Sequence, residues 1–345
     1  MKLLITTQAV DLDDPVLAFF HRWLEEFAKN AEHVHVICLK EGRHALPKNV
    51  SVHSLGKEDG RSLFKYVSRL WAYAWRLRRE YDAVLVHMNP EYLVLVGWLW
   101  LYLRKRVGLW YIHPRATWRL RFGMRFAYKV FTATEQSFPI VTPKLVPVGL
   151  GVDTDFFVPK EITPSAELRV MCAARIAPVK RVECMIDAAD ELVKRHTPFL
   201  FDYYGEELPR DKRYAEGMRK RADHLGAWMF RGKATSEGIR DAYQTHDVHV
   251  NATDTGSFDK AVFEAMACGC ISVASNKALR DVLPRELMFE EGNAKSLAQT
   301  LEHIAHLPRE DRAALREEMR KLAVHRYSLS ALILRILDGL KYGIA

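Results

Sequence analysis

The stretch Leu168–Glu183, LRVMCAARIAPVKRVE, decides the fold. Its opening, Leu168 to Ala173, is an apolar run of strand length. Arg175, Pro178 and Lys180 then interrupt the run, and a helical pattern follows from Glu183 to Arg195. A strand that passes through a short polar loop into a helix, and from there into the next strand at Phe199 to Tyr204, is the repeating unit of a parallel sheet. The rhythm continues with a helix at Ala215 to Leu225, a strand at Val248 to Asn251, a helix at Lys260 to Ala267 and a strand at Ile271 to Ala274. Residues 310–345 read as helical, with no strand run.

Upstream lies Pro159–Ser165 (PKEITPS), a polar stretch with two prolines that reads as a linker. Before it the same alternation runs through strands at Lys2–Thr7, His33–Leu39, Ala83–His87, Gly108–Ile112 and Lys129–Ala133. Asp14-Pro15 predicts a helix N-cap followed by proline at the first helical position. Phe19, Phe20, Trp23, Leu24 and Phe27 then recur at helical spacing. The sequence therefore predicts an α/β protein of two Rossmann-like, doubly wound parallel-sheet domains, 1–155 and 156–345, with helices of 310–345 returning to the first. Two such domains are expected to face a cleft at the carboxyl ends of their strands, where open α/β sheets bind ligands.

At 345 residues, 49% apolar and 27% charged, the composition excludes collagen-like and largely disordered classes. Five cysteines (Cys38, Cys172, Cys184, Cys268, Cys270) form no C-x-x-C pair, which argues against a disulfide framework and a structural zinc site. A reducing cytoplasm is the expected setting. Met1 to Ala9 is too short for a signal-peptide core and runs into Asp11, Asp13 and Asp14, so no export is expected. The longest apolar stretch, Tyr92–Leu103 (YLVLVGWLWLYL), has twelve residues. A bilayer span needs about 20, so the stretch reads as a core helix, with a monotopic segment as the alternative.

The net charge of +8 is uneven. Over 1–155, 22 Lys/Arg face 15 Asp/Glu; over 156–345, 29 face 28. Within 61–129, 14 basic residues face only Glu80, Asp82 and Glu91, and they alternate with Phe64, Tyr66, Trp71, Tyr73, Trp75, Trp110, Trp118, Phe122 and Phe126. A helix of this composition suits an anionic membrane surface, with rings at headgroup level and cations outward. The alternative is an amphipathic helix whose aromatic face is core. No RNP-like, zinc-finger or helix-turn-helix signature is present, so no nucleic-acid partner is expected.

The first strand is followed by no G-x-G-x-x-G, and Gly226–Ala234 (GAWMFRGKA) misses a P-loop by one residue and by its Ser/Thr. No G-x-S-x-G elbow and no H-E-x-x-H occurs. Two segments carry chemistry instead. In Ala174–Glu183 (ARIAPVKRVE), a guanidinium fork and an ammonium at a helix start can neutralise the oxygens of one diphosphate; a solvated loop is the alternative. In Thr255–Gly269 (TGSFDKAVFEAMACG), the Gly256-Ser257 turn leads into a helix bearing Glu264, where free N–H groups suit an anion or a sugar and Glu264 can accept from ribose hydroxyls. The alternative there is a helix packed closely through Ala265, Ala267 and Gly269.

Together these residues resemble the family-4 retaining glycosyltransferases, nucleotide-sugar enzymes of the GT-B fold. The resemblance extends to Gly149–Phe157 (GLGVDTDFF), similar to the interdomain G-[IV]-D-x-x-x-F stretch, and to Phe230–His249 (FRGKATSEGIRDAYQTHDVH), similar to the segment before the donor loop. It implies that Arg175 and Lys180 grip the donor diphosphate and that Glu264 binds the nucleotide ribose. Gly205, Arg231, Gly256, Ser257 and Phe258 complete the implied donor set, with Arg231 at the base. His113, in Trp110–Pro114, resembles the histidine near the transferred sugar; a capped loop residue is the alternative.

The chain departs from that pattern in three places. The glutamate that would contact the sugar, eight positions before Glu264, is Gly256, and Asp259 and Lys260 are the candidate substitutes. The glycine-rich loop after the first strand is replaced by Asp11–Leu17 (DLDDPVL), and the interdomain histidine by Leu150. Asp153-Thr154-Asp155 matches the metal-binding triplet of the other large glycosyltransferase fold but sits in the interdomain segment, so no metal or other cofactor is expected. The resemblance thus implies metal-independent transfer from a nucleoside-diphosphate sugar to a hydroxyl acceptor. Asn89, Glu91 and Tyr92, at a first-domain strand end, are the expected acceptor contacts. The basic, aromatic region 61–129 points to a lipid-linked acceptor reached from an anionic membrane surface on the cytoplasmic side. A nucleotide-sugar-binding pseudoenzyme and a nucleotide-sugar epimerase of the same fold are the alternatives.

Overall fold

The structure, a computed structural model, describes residues 1–14, 16–60, 62–113, 115–161, 165–253 and 258–341. The chain divides into two compact units, Met1–Gly151 together with the segment from Leu329 onward, and Val152–Ser328.

The first unit contains β1 (Lys2–Val10), α1 (Phe20–Asn30), β2 (His33–Glu41), β3 (Val50–Ser54), α2 (Leu63–Arg76), β4 (Ala83–His87), α3 (Pro90–Tyr102), β5 (Arg106–Trp110), α4 (Trp118–Gly123), β6 (Lys129–Thr132) and β7 (Leu145–Pro147). Its seven strands are parallel in the order β3-β2-β1-β4-β5-β6-β7. Alternate strand residues face opposite layers. Leu3 and Ile5 join Val34, Val36, Phe20 and Phe27 in one core, whereas Leu4 and Ile37 join Val84, Val86, Leu70 and Trp100 in the other.

The second unit contains β8 (Leu168–Ala173), α5 (Val182–Lys194), β9 (Phe199–Tyr204), α6 (Lys212–Ala222), β10 (Trp228–Gly232), α7 (Ser236–Thr245), β11 (Val248–Asn251), α8 (Lys260–Ala267), β12 (Ile271–Ala274), α9 (Ala294–His306) and α10 (Arg309–Tyr327). Five parallel strands lie in the order β10-β9-β8-β11-β12. The last helix, α11 (Leu329–Lys341), returns to the first unit, where Leu332, Ile333, Ile336 and Leu337 are buried beside α1. Gly151 is tied to that return, because a Cβ there would lie 2.7 Å from Leu332 Cδ2.

Both sheets reverse strand order once, between β1 and β4 and between β8 and β11. Such a switch point splays the loops at the carboxyl ends apart and opens a ligand crevice within the sheet's own unit.

Two sequence expectations change here. Helix α1 begins at Phe20 rather than beside Asp14, because the Asp14 carboxylate accepts from the backbone N–H of Val16 and Leu17 and closes a turn ahead of the helix; Pro15 lies outside the described residues. The stretch Tyr92–Leu103 forms α3 and buries Leu93, Val96 and Trp100, but Trp98, Leu101 and Tyr102 remain exposed, so only one face of this helix is core. Gly97 lets it approach Phe126, whose Cβ would sit 2.7 Å from an added methyl. No helix among the described residues is long and apolar enough to cross a membrane.

Candidate functional site

At the β8/β11 switch point a cation, a carboxylate and two neutral polar side chains converge. After β8 the chain makes a short 3₁₀ turn, Pro178–Lys180, and enters α5 through Arg181 in the left-handed region at φ 50°. This turn directs Lys180 toward the end of β11, where its Nζ lies 2.5 Å from Asp259 Oδ2 and 3.1 Å from Thr253 Oγ1. Asn251 Nδ2 donates to the same carboxylate oxygen at 3.0 Å, and the Thr253 hydroxyl donates to it at 3.2 Å. Asp259 also caps α8, its Oδ1 accepting from Ala261 N at 3.4 Å. Burial pushes the Asp259 carboxyl up, but the charge and hydrogen bond of Lys180, joined by Asn251, outweigh burial and hold it below its ordinary value. Directly beneath, His249 is buried on β11 and pushed down to about 4 by burial, so its ring is neutral near pH 7.

The other described members of the expected donor set belong to the same unit. Arg175 is exposed at the end of β8, and its carbonyl accepts from the Tyr203 hydroxyl at 3.1 Å, which pins the loop's start. Gly205, at the end of β9, has φ +141°, and a Cβ there would meet the Ala174 carbonyl oxygen at 1.9 Å, so only glycine lets these two strand ends approach. Glu264 lies one helical turn beyond Lys260, whose Nζ is 3.1 Å from its carboxylate. Phe258 packs its ring against Phe263 and Tyr327, with centroids 5.1 and 5.9 Å apart. Gly256 and Ser257 lie outside the described residues. Arg231 is placed apart: its Nε is 3.0 Å from Asp202 Oδ1 on β9, and the other oxygen of Asp202 is 3.2 Å from His246 Nε2. Burial raises the Asp202 carboxyl, and these two partners outweigh it and hold the carboxyl low.

Sequence reasoning missed Asn251 and Thr253. Their signal was present in Val248–Thr253 (VHVNAT), where a buried strand ends in an amide and a hydroxyl that a purely structural strand end has no need to carry.

In the first unit, the β1/β4 switch point is filled differently. Thr7 Oγ1 lies 3.1 Å from His87 Nδ1, and Phe20 stacks on the His87 ring at 4.0 Å. Burial pushes His87 down to about 3. Among the expected acceptor residues, Asn89 directly precedes α3, and Glu91 is half-exposed with Arg119 Nη1 at 3.3 Å from its carboxylate. Tyr92 is buried, its hydroxyl donating to the Thr7 carbonyl at 2.8 Å, so it braces β1 against α3. His113 is exposed, and its Nδ1 accepts from Arg115 N at 3.1 Å.

The basic and aromatic region is a surface as well as a core. Phe64, Trp75, Trp98, Tyr102 and Trp118 are exposed, with Arg78 over the Trp75 ring at 4.3 Å and Arg119 over Trp118 at 5.5 Å. No group of three or more His, Cys, Asp or Glu side chains among the described residues could hold a metal ion. All five cysteines are free and buried.

This fold is of the GT-B class, two Rossmann-like parallel sheets of seven and five strands. Residues 167–306, which contain Lys180, Thr253, Asp259 and Glu264, match the family described as Glycosyl transferases group 1. Among solved structures, Anabaena HepE in complex with UDP and glucose is 15% identical, with a TM-score of 0.70 over 99% of this chain and 100% of that one. Sucrose-phosphate synthase from Thermosynechococcus elongatus is 16% identical, with a TM-score of 0.70 over 99% and 98%. Among curated proteins, the tRNA-queuosine alpha-mannosyltransferase of Drosophila melanogaster is 24% identical over 164 residues, 46% of this chain and 41% of that protein. The chain spans about two fifths of the length of the curated relatives it matches.

Proposed function

We propose that this protein is a retaining glycosyltransferase that moves a sugar from a nucleoside-diphosphate donor to a hydroxyl acceptor. The observation that carries the reading is the Lys180–Asp259–Thr253–Asn251 cluster at the switch point of the sheet matched by the glycosyltransferase family. In this reading unit Val152–Ser328 holds the donor, with Arg175 and Lys180 on the diphosphate and Glu264 on the ribose. The first unit receives the acceptor near Asn89, Glu91 and His113.

As the bond between the anomeric carbon and the β-phosphate oxygen breaks, charge builds on the diphosphate, and Arg175 and Lys180 are placed to stabilise it without a divalent ion. The acceptor oxygen bonds to the anomeric carbon on the face the diphosphate leaves, and its proton passes to a donor phosphate oxygen. Asp259 holds Lys180 in place until the donor arrives. The same pairing supports a second reading, a nucleotide-sugar-binding protein without turnover, because Asp259 already occupies the ammonium in this state.

The exposed rings and cations of 62–129 suit an anionic membrane surface, so the acceptor in this reading is lipid-linked. Docking of this kind needs anionic lipid and fades with salt; vesicle sedimentation independent of both would remove this part of the proposal. The reaction itself is tested by incubating the protein with UDP-, GDP-, ADP- and dTDP-sugars and lipid extracts in the absence of added metal. Transfer with the donor's anomeric configuration kept in the product supports the enzyme. Donor binding with no product selects the binding protein, and neither binding nor product rejects both.

A further inference from the structure

The second unit carries a cavity of about 500 Å³ that the donor chemistry does not use. Its position is set by Asp247, which directly precedes β11, and by Gly269, which precedes β12. It therefore opens at the amino ends of β11 and β12, the opposite end of β11 from Asn251. Five cations line it, Lys160, Arg309, Arg312, Arg316 and Arg320, against three carboxylates, Asp247, Glu161 and Glu317.

The four arginines fall on one face of α10, spaced three, four and four residues apart. Arg320 is structural: its guanidinium donates to the carbonyls of Thr154, Phe157 and Ala267 and forms a fixed floor. Arg312 and Arg316 are held by fewer such bonds. Arg312 gives Nη2 to the Ala305 and Leu307 carbonyls at 2.8 and 3.5 Å, while its Nε is buried without a hydrogen-bond partner among the described residues. Arg316 donates Nη1 to the His246 carbonyl at 3.4 Å and stands 3.9 Å from Asp247, beyond direct hydrogen-bond reach, while Asp247 accepts from Arg169 N at 3.0 Å. Of the remaining carboxylates, Glu317 is drawn toward Lys321 at 3.6 Å. Ala313 and Gly269 complete the lining, and Gly269 is fixed as glycine by its φ of +71°.

We infer that this cavity is a second anion site, distinct from the donor site, that binds a small phosphate-bearing molecule. Guanidinium forks match phosphate oxygens two at a time, so a bound anion would offset the excess of cations in this partly open cavity. The volume falls within the range of small-ligand sites.

The test is calorimetric titration of the full chain with inorganic pyrophosphate at low ionic strength, alone and with UDP present in excess. The inference expects a binding event that UDP does not displace and that survives Arg175→Ala, whereas Arg309→Gln with Arg316→Gln weakens it at least tenfold. Since Arg316 also touches the His246 carbonyl, Lys160→Gln with Arg309→Gln, both exposed, is the companion variant and should weaken it severalfold with the fold intact. Pyrophosphate binding that vanishes with UDP or Arg175→Ala and ignores both α10 variants would overturn the inference, as would no binding at all. Because the α10 variants and Arg175→Ala are read separately, loss of the donor site and loss of this site give different results.

Discussion

The two switch points have the same topology and opposite chemistry. At β8/β11 an ammonium, a carboxylate, a hydroxyl and an amide are joined by hydrogen bonds, and Arg175 is exposed at the end of β8. At β1/β4 the corresponding space is closed by Phe20 stacked on a buried histidine, and the loop after β1 spends two of its acids on ion pairs, Asp11 with Lys40 at 2.9 Å and Asp13 with Nε and Nη2 of Arg43. A doubly wound sheet thus supplies a place for a ligand, and the side chains decide whether that place attracts a diphosphate. In the proposed reading, Lys180, held by Asp259 and Thr253, supplies the second unit with a placed cation for developing phosphate charge.

The largest effect expected from breaking this contrast is at Lys180. Lys180→Ala leaves the Asp259 carboxylate largely buried with no compensating cation, which costs about 3–5 kcal/mol. The double variant Lys180→Met with Asp259→Leu removes both charges and should cost less than the single change. Equal losses in denaturant unfolding would show that the pair is not coupled.

A pH series sharpens the comparison, because each unit buries a neutral histidine at its switch. His87 is pushed down to about 3 and His249 to about 4, both from about 6.5 in the unfolded chain. Between those values the unfolded state binds more protons, so stability is full above pH 6.5 and falls as pH drops toward 4. The slope is about 1.4 kcal/mol per pH unit for each histidine. Replacing His249 by leucine should lower that slope by one histidine's share, and an unchanged slope would contradict the burial account.

A smaller effect is expected at Gly205→Ala, roughly 1–3 kcal/mol, because φ +141° disfavours any side chain and the Ala174 carbonyl blocks the new Cβ. The smallest is at Tyr92→Phe, about 1 kcal/mol for one hydrogen bond to Thr7, with donor affinity unchanged. A loss of acceptor use without a loss of stability would instead return Tyr92 to the acceptor set.

The strands were legible wherever they were buried on both faces, as at Ala83–His87 and Ile271–Ala274, since continuous apolar runs have no other use in a short segment. The half-buried Val50–Ser54 and the three-residue Leu145–Pro147 carry too little of that pattern to be seen. Lys180 and Asp259 could each be singled out by motif, but their pairing could not. They are 79 residues apart, and only the insertion of β11 beside β8 brings them together. Arg231 shows the converse, since its place in a motif carries no information about Asp202, which meets it across the β9–β10 pairing.

The central claim is that unit Val152–Ser328 binds a nucleoside diphosphate through Arg175 and Lys180. The most direct measurement is calorimetry of the wild-type chain, Arg175→Ala and Lys180→Ala against UDP, GDP, ADP and dTDP with no metal added. The account predicts that one of these nucleotides binds the wild type and that each variant loses about 1.5–3 kcal/mol of affinity, the scale of hydrogen bonds to charged groups. Unchanged affinity in both variants would contradict it.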